Sequence, residues 1–235
     1  MSSRLWPHVE DEKLFAEIRS VLRMLDEITE DINIDRNVVD PFSAIFDMAK
    51  QNITYDEWIE QEKFRQAQKS LQNAVGYFHQ NILGHVDGWV NPGSGGSFDL
   101  ISNDKKIIAE IKNKHNTMNS TSGGGTYRKM ANHLDGDYKG YMGYIVTVIH
   151  KSPQRISRPF APSESGLKHE PRDDLLLVDG ATFYHIVTGD QNALRELYQI
   201  LPEAIKLALP TRNFDFNQET TSKSLLELFD RAFGD

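Results

Sequence analysis

The chain has 235 residues, enough for one α/β domain with a helical elaboration, and it contains no cysteine, which excludes disulfides and thiolate metal sites. No apolar run approaches the roughly 20 residues that cross a bilayer, and the opening MSSRLWPHVEDEK has no signal-peptide core, so a cytoplasmic protein is expected. The net charge is −8, but residues 1–62 carry −9 and residues 173–235 carry −6, whereas residues 101–172 hold 12 Lys and Arg against 6 Asp and Glu. A polyanion would be drawn to the middle of the chain and repelled by its ends.

Residues 10–31 predict an amphipathic helix with Leu14, Ile18, Val21, Leu22, Leu25 and Ile28 on one stripe. Asp40-Pro41 breaks the chain, and a short helix is expected over Pro41–Lys50. Thr54 with Glu57 forms a capping box that opens a long helix to about Leu83, stopped by Gly84. Centred on Leu71, its predicted buried stripe holds Phe64, Ala67, Ala74, Val75, Phe78 and Ile82. Glu60 falls on the same stripe and is a candidate extra metal ligand, although acids in a first helical turn are usually exposed and stabilised by the dipole. Glu62, the rival, points nearly opposite.

Ser97–Lys114, SFDLISNDKKIIAEIKNK, reads as a hairpin around Asn103-Asp104-Lys105-Lys106, led in by the Gly-rich Pro92–Gly96. Closing that turn pairs residues whose numbers sum to 209, which sets Asp99 opposite Glu110 and puts Lys112 on the same face. Two carboxylates so paired have Cβ atoms roughly 4.5–5.5 Å apart and repel unless a cation lies between them. Mg²⁺, with oxygen ligands at about 2.0–2.1 Å, could touch both. An adjacent ammonium could orient a water or stabilise charge on a phosphate. Asp99, Glu110 and Lys112 therefore predict the site of a metal-dependent phosphodiesterase. The bland alternative is a solvated surface hairpin. Against it, Glu110 and Lys112 interrupt an otherwise apolar strand.

Met118–Gly125 is expected to be a loop, and it lacks the Gly-Lys-Ser/Thr of a nucleotide-binding P-loop. Thr126 is expected to cap a helix to about Leu134, with Tyr127, Arg128 and Lys129 at its start as phosphate contacts. Tyr141–His150 reads as a central strand, parallel to the hairpin strand across that helix. Residues 151–173, polar and with four prolines, read as a long structureless stretch that offers Arg155, Arg158 and Lys168 as base-reading candidates, and Lys114 and Asn116 lie just past Lys112, where backbone contact is expected. Leu175–Val178 and Phe183–Thr188 read as two strands turning at Asp179-Gly180. Helices are expected over Asn192–Leu209 and Glu219–Phe233, the last a candidate for dimer contacts. The eight histidines show no metal-ligand spacing, and His115 is better suited to contacting DNA.

The hairpin motif resembles the PD-(D/E)XK nuclease core, and its continuation, EIKNKHNT (Glu110–Thr117) followed by TYRKM (Thr126–Met130), resembles the type II restriction endonucleases that cut GGNCC-type palindromes. The upstream EKFRQAQKSLQNAVGYFHQNILG (Glu62–Gly84) is similar to that group too, and the likeness spans roughly residues 55 to 190. One departure is Phe98, where the motif has proline. The resemblance implies an α/β fold, a mixed central sheet flanked by helices, in a single nuclease domain: an N-terminal elaboration over 1–50, a catalytic core over 55–209 and a tail helix over 210–235. It also implies Mg²⁺-dependent, sequence-specific cleavage of double-stranded DNA leaving 5′-phosphate ends, a homodimer on a short GC-rich palindrome, and a cognate methyltransferase that protects the host DNA. Asp99 and Glu110 would hold the metal, with Lys112 as the third catalytic residue. Two alternatives share the core: a structure-specific repair or recombination nuclease, and a non-catalytic DNA-binding module, which would have no need of all three residues.

Overall fold

A computed structural model describes residues 4–30, 39–115, 120–211 and 219–234 of the chain. The chain divides into two compact units, Arg19–Val75 and Met1–Ile18 with Gly76–Asp235. Among the described residues no helix is long and apolar enough to cross a membrane.

The smaller unit contains α2 (Pro41–Gln51) and shares α1 (Asp11–Glu30) and α3 (Tyr55–Gly84) with the larger. Asp40 starts α2 by accepting the Phe42 amide at 3.0 Å, with Pro41 in the first turn where its missing N–H costs nothing. The capping box closes as expected: the Thr54 amide donates to Glu57 Oε2 at 2.8 Å and the Glu57 amide donates to Thr54 Oγ1 at 3.3 Å. Trp58 is buried, donates to Asp47 Oδ2 at 3.2 Å and carries the Arg65 guanidinium 5.6 Å above its ring. The predicted buried stripe of α3 holds only in part. Ala74, Phe78 and Ile82 are buried, but Phe64 is 64% exposed and Leu71 36%. Periodicity marks a face without saying how much chain there is to cover it.

The larger unit is built on a five-stranded mixed sheet of order β1-β2-β3-β7-β4. These strands are β1 (Leu100–Ser102), β2 (Ile107–Lys114), β3 (Met142–Ile149), β4 (Ser157–Pro159) and β7 (Leu175–Asp179), and β5 (Ser163–Glu164) pairs with β6 (Leu167–Lys168) beside it. β1 and β2 are antiparallel with Leu100 opposite Ala109 and Ser102 opposite Ile107, the register expected from the turn. β2, β3 and β7 run parallel, and β4 is an antiparallel edge. Helix α4 (Ser120–Asp135) makes the crossover from β2 to β3. Its Met130, Ala131 and Leu134 pack with Ile108, Ile145, Leu175 and Leu177 on one face of the sheet. Tyr144, next to Ile145 and so on the opposite face, meets Phe183 of α5 (Gly180–Thr188) at 5.8 Å. The sheet thus has helices on both faces. α6 (Ala193–Ala208) follows α5, and Tyr198 of α6 donates to the Leu225 carbonyl of α7 (Glu219–Phe233) at 2.9 Å.

Three expectations are corrected. Phe183–Thr188 is helix, not strand. Its β-branched and aromatic content suits a strand, but Asp179 caps a helix there by accepting the Thr182 amide at 3.0 Å. Gly180 permits the turn, since a Cβ there would lie 2.6 Å from the Val148 carbonyl oxygen. Second, α4 begins at Ser120 rather than Thr126 and runs through Gly123-Gly124-Gly125. Glycine disfavours a helix by about 1 kcal/mol per residue, but a Cβ at Gly124 would run into the Glu164 carboxylate and one at Gly123 would press on Pro162. Close packing therefore sets the helix start. Third, the 151–173 segment is not structureless, because it contributes β4, β5 and β6. The part of the expected loop at Met118 and Asn119 lies outside the described residues.

Candidate active site

Ile108, Glu110 and Lys112 share the face of β2 that α4 covers. Ile108 is fully buried in the core, and two residues on the same row turns polar. Glu110 is only 7% exposed, and it is tolerated there because each oxygen meets an ammonium: Lys112 Nζ lies 2.8 Å from Oε1 and Lys129 Nζ 2.7 Å from Oε2. Burial would raise the Glu110 carboxyl, yet the hydrogen bonds and charges of the two lysines outweigh it and hold the group below its ordinary value.

Asp99 stands just before β1, where the ladder ends. Its amide donates to the Ala109 carbonyl at 2.9 Å, and its Oδ2 accepts the Ile111 amide at 2.6 Å, which fixes the carboxylate against β2. Burial, and then the nearby Glu110 charge, push the Asp99 carboxyl above its ordinary value. Phe98, the departure from the proline pattern, is buried edge-on to His133 and Tyr138 at 5.5 and 5.0 Å, so it anchors the approach to Asp99 by packing. Asp99, Glu110 and Lys112 are therefore together, with Lys129 as a fourth member. Paired, partly desolvated carboxylates that draw cations onto themselves suit a hard divalent ion with oxygen ligands.

The site sits toward the carboxyl ends of the parallel strands, the usual position for ligands in α/β sheets. Lys112 and Lys114 of β2 pair with Thr147 and Ile149 of β3, and Thr147 pairs with Asp179 at the end of β7. His150 follows β3, and its imidazole is held below its ordinary value by burial and by the charges of Arg158 and His115. Arg155 is exposed and lies 3.5 Å from Asp179. Arg158 is exposed on the edge strand β4. Lys112, Lys114 and Arg155 thus lie toward the carboxyl ends of β2 and β7, while Arg158 pairs with Leu177 in the middle of β7.

Other expected contacts fall elsewhere. Tyr127, Arg128 and Lys129 are in the middle of α4, away from the free amides of a helix start. Tyr127 is buried, stacked on His169 at 4.4 Å, with its hydroxyl donating to the Glu170 carbonyl at 2.6 Å. Arg128 is ion-paired with Glu164. Lys168 is exposed on β6. Asn116 lies outside the described residues. Glu60 belongs to the Arg19–Val75 unit, where it is exposed and paired with Lys63 at 2.8 Å. Two groupings were hidden from sequence spacing. One is Lys129 with Glu110. The other is His8 with Asp190 and Glu196, whose donor atoms lie within 4.8 Å of one another. Asp190 already accepts the Asn192 amide at 2.8 Å and lies 3.4 Å from His8 Nε2, a tie between the N-terminal segment and the start of α6.

A mixed sheet with a carboxylate hairpin on one edge, a crossover helix over it and lysines at the carboxylates is a restriction-endonuclease-like core of the PD-(D/E)XK type. Residues 6–210 match the Eco47II restriction endonuclease family, and the chain belongs to it. It is 36% identical to the type II restriction enzyme Eco47II of Escherichia coli over 238 residues, covering 98% of this chain and 99% of that one. It is 29% identical to the type II restriction enzyme Sau96I of Staphylococcus aureus over 213 residues, covering 87% and 81%.

Proposed function

We propose that this protein is a type II restriction endonuclease that hydrolyses double-stranded DNA at a short GC-rich palindrome of the GGNCC type, with Mg²⁺ as cofactor, and leaves 5′-phosphate and 3′-hydroxyl ends. The observation that carries the reading is Glu110, buried in the middle of β2 beside Asp99 and held by two lysines. Family membership supports the enzyme class. Asp99 and Glu110 would hold the ion, which when bound supplies polarisation of the scissile phosphate and a lowered pKa for water. Asp99 is aimed by the Ile111 amide, so its geometry is set before substrate arrives. Lys112, fixed on Glu110 Oε1, directs its ammonium at the attacking water and at charge growing on the phosphate. Lys114, Arg155 and Arg158 would contact the duplex, Lys114 through the backbone and an arginine through guanine edges, while Asn116, Arg128 and Lys168 remain candidates for further DNA contact. A palindrome has two-fold symmetry and needs two cuts, so we take the active form to be a homodimer, with a cognate methyltransferase protecting host DNA.

The test is to digest a DNA of known sequence in Mg²⁺ and sequence the ends. All ends should share one short palindrome and bear 5′-phosphates. Ends scattered over unrelated sequences, or cutting confined to junctions and flaps, would contradict the proposal.

A further inference from the structure

Glu110 holds two ammonium groups of different standing. Lys112 is two residues away on the same strand, whereas Lys129 reaches across from α4. The helix beneath Lys129 cannot shift readily, since the adjacent Tyr127 and Met130 are buried in the core. The lysine itself can move, because its side chain is 40% exposed and its Nζ has Glu110 as its single ion-pair partner among the described residues. The two carboxylates and two ammoniums leave the free site electrically balanced, and Lys129 Nζ occupies Oε2, one of the oxygens an ion would need.

Resting on the function proposed above, we propose that Lys129 is the resident counter-ion of the site: it holds Glu110 Oε2 in the free protein, yields that oxygen to the divalent cation, and turns its ammonium to the DNA phosphate. Two consequences follow from charge alone. Without DNA, Lys129 competes with the ion and weakens its binding. With DNA, the displaced ammonium gains a phosphate partner, so ion and duplex each favour the binding of the other. The device keeps a buried carboxylate pair neutral until substrate is present. Lys129 is on this account a positioning residue for the ion and a direct contact of the phosphate.

The experiment titrates Mn²⁺ into the DNA-free full-length protein, with free ion followed by electron paramagnetic resonance. The wild type is compared with Lys129→Met, Lys129→Arg and Glu110→Gln. Loss of one partly exposed ion pair should tighten Mn²⁺ binding by about fivefold in Lys129→Met. Lys129→Arg, which keeps the charge, should stay near wild type, and Glu110→Gln should lose the site. Binding of duplex DNA in Ca²⁺ should weaken in Lys129→Met. Equal or weaker Mn²⁺ binding by Lys129→Met, with Glu110→Gln defective, overturns the counter-ion role and leaves the nuclease site standing. Mn²⁺ binding unaffected by Glu110→Gln overturns both.

Discussion

Replacing Glu110 with glutamine separates the chemical role of this carboxylate from its structural one. The side chain keeps its volume in a nearly closed environment. Its amide oxygen can still accept from one lysine, but its NH₂ faces the other ammonium as donor against donor. Two charge-assisted hydrogen bonds are affected, and such bonds contribute about 1.5–3 kcal/mol each when well shielded. Lys112 and Lys129 are 30% and 40% exposed at their side chains, so both can turn to water, which reduces that loss. Opposing it, glutamine removes the burial penalty of an anion and its repulsion of Asp99. The net change should fall within about 1 kcal/mol, a shift of about 2–4 °C in melting temperature for a chain of this size. Single-turnover cleavage in Mg²⁺ should nonetheless drop by at least about a hundredfold, because a ligand and the anchor of Lys112 are both lost. A melting temperature lower by more than about 10 °C would make Glu110 a structural residue. Cleavage within about tenfold of wild type would refute its placement in the site.

Lys112→Ala should lose at least about two orders of magnitude in cleavage with little change in melting, since its head group faces the site and not the core; an unfolded variant would make the lysine structural. His79 lies 2.7 Å from the Tyr184 hydroxyl, and burial lowers its imidazole to about 4. Because the folded value lies below the unfolded one of about 6.5, its neutral form stabilises the fold fully above pH 6.5, and that contribution is lost between pH 6.5 and 4. Urea unfolding should therefore lose about 2 kcal/mol across that window in wild type, after allowance for partial solvent access. His79→Gln should show a flatter pH dependence, and identical slopes would refute the assignment. Arg158→Ala should cost about 1–3 kcal/mol on cognate DNA and far less on random DNA, whereas Lys114→Ala should weaken both alike and flatten the salt slope by about one. Equal losses on both DNAs for Arg158→Ala would move base reading elsewhere.

The hairpin was legible because everything that sets it is local. The turn at Asn103–Lys106 fixes the register, and the register puts Asp99, Glu110 and Lys112 together before any tertiary contact is known. The parallel order of β2 and β3 was legible too, since a crossover helix between strands permits little else. What depended on distant packing was hidden. Three consecutive glycines read as a loop, and only the fit of Gly124 against Glu164 and Gly123 against Pro162 makes them helix. That earlier start removes Tyr127–Lys129 from a helix terminus, so Lys129, noticed as a phosphate contact, turns out to lie on Glu110. Phe183–Thr188 has strand composition, and its helical state rests on the Asp179 cap and on Gly180 passing close to Val148. His8, Asp190 and Glu196 are far apart in sequence, and no spacing rule joins them.

The most direct test of the central claim uses Asp99→Ala on a duplex containing the mapped site. The Asp99 side chain accepts a hydrogen bond from the Ile111 amide, the backbone bond to Ala109 survives its removal, and its loss also removes negative charge from a surface that must approach phosphate. In Mg²⁺ the variant should still bind the site-bearing duplex in preference to random DNA and leave it uncut. Cleavage at the same position and a comparable rate would contradict the assignment of Asp99 and Glu110 as the metal-holding pair.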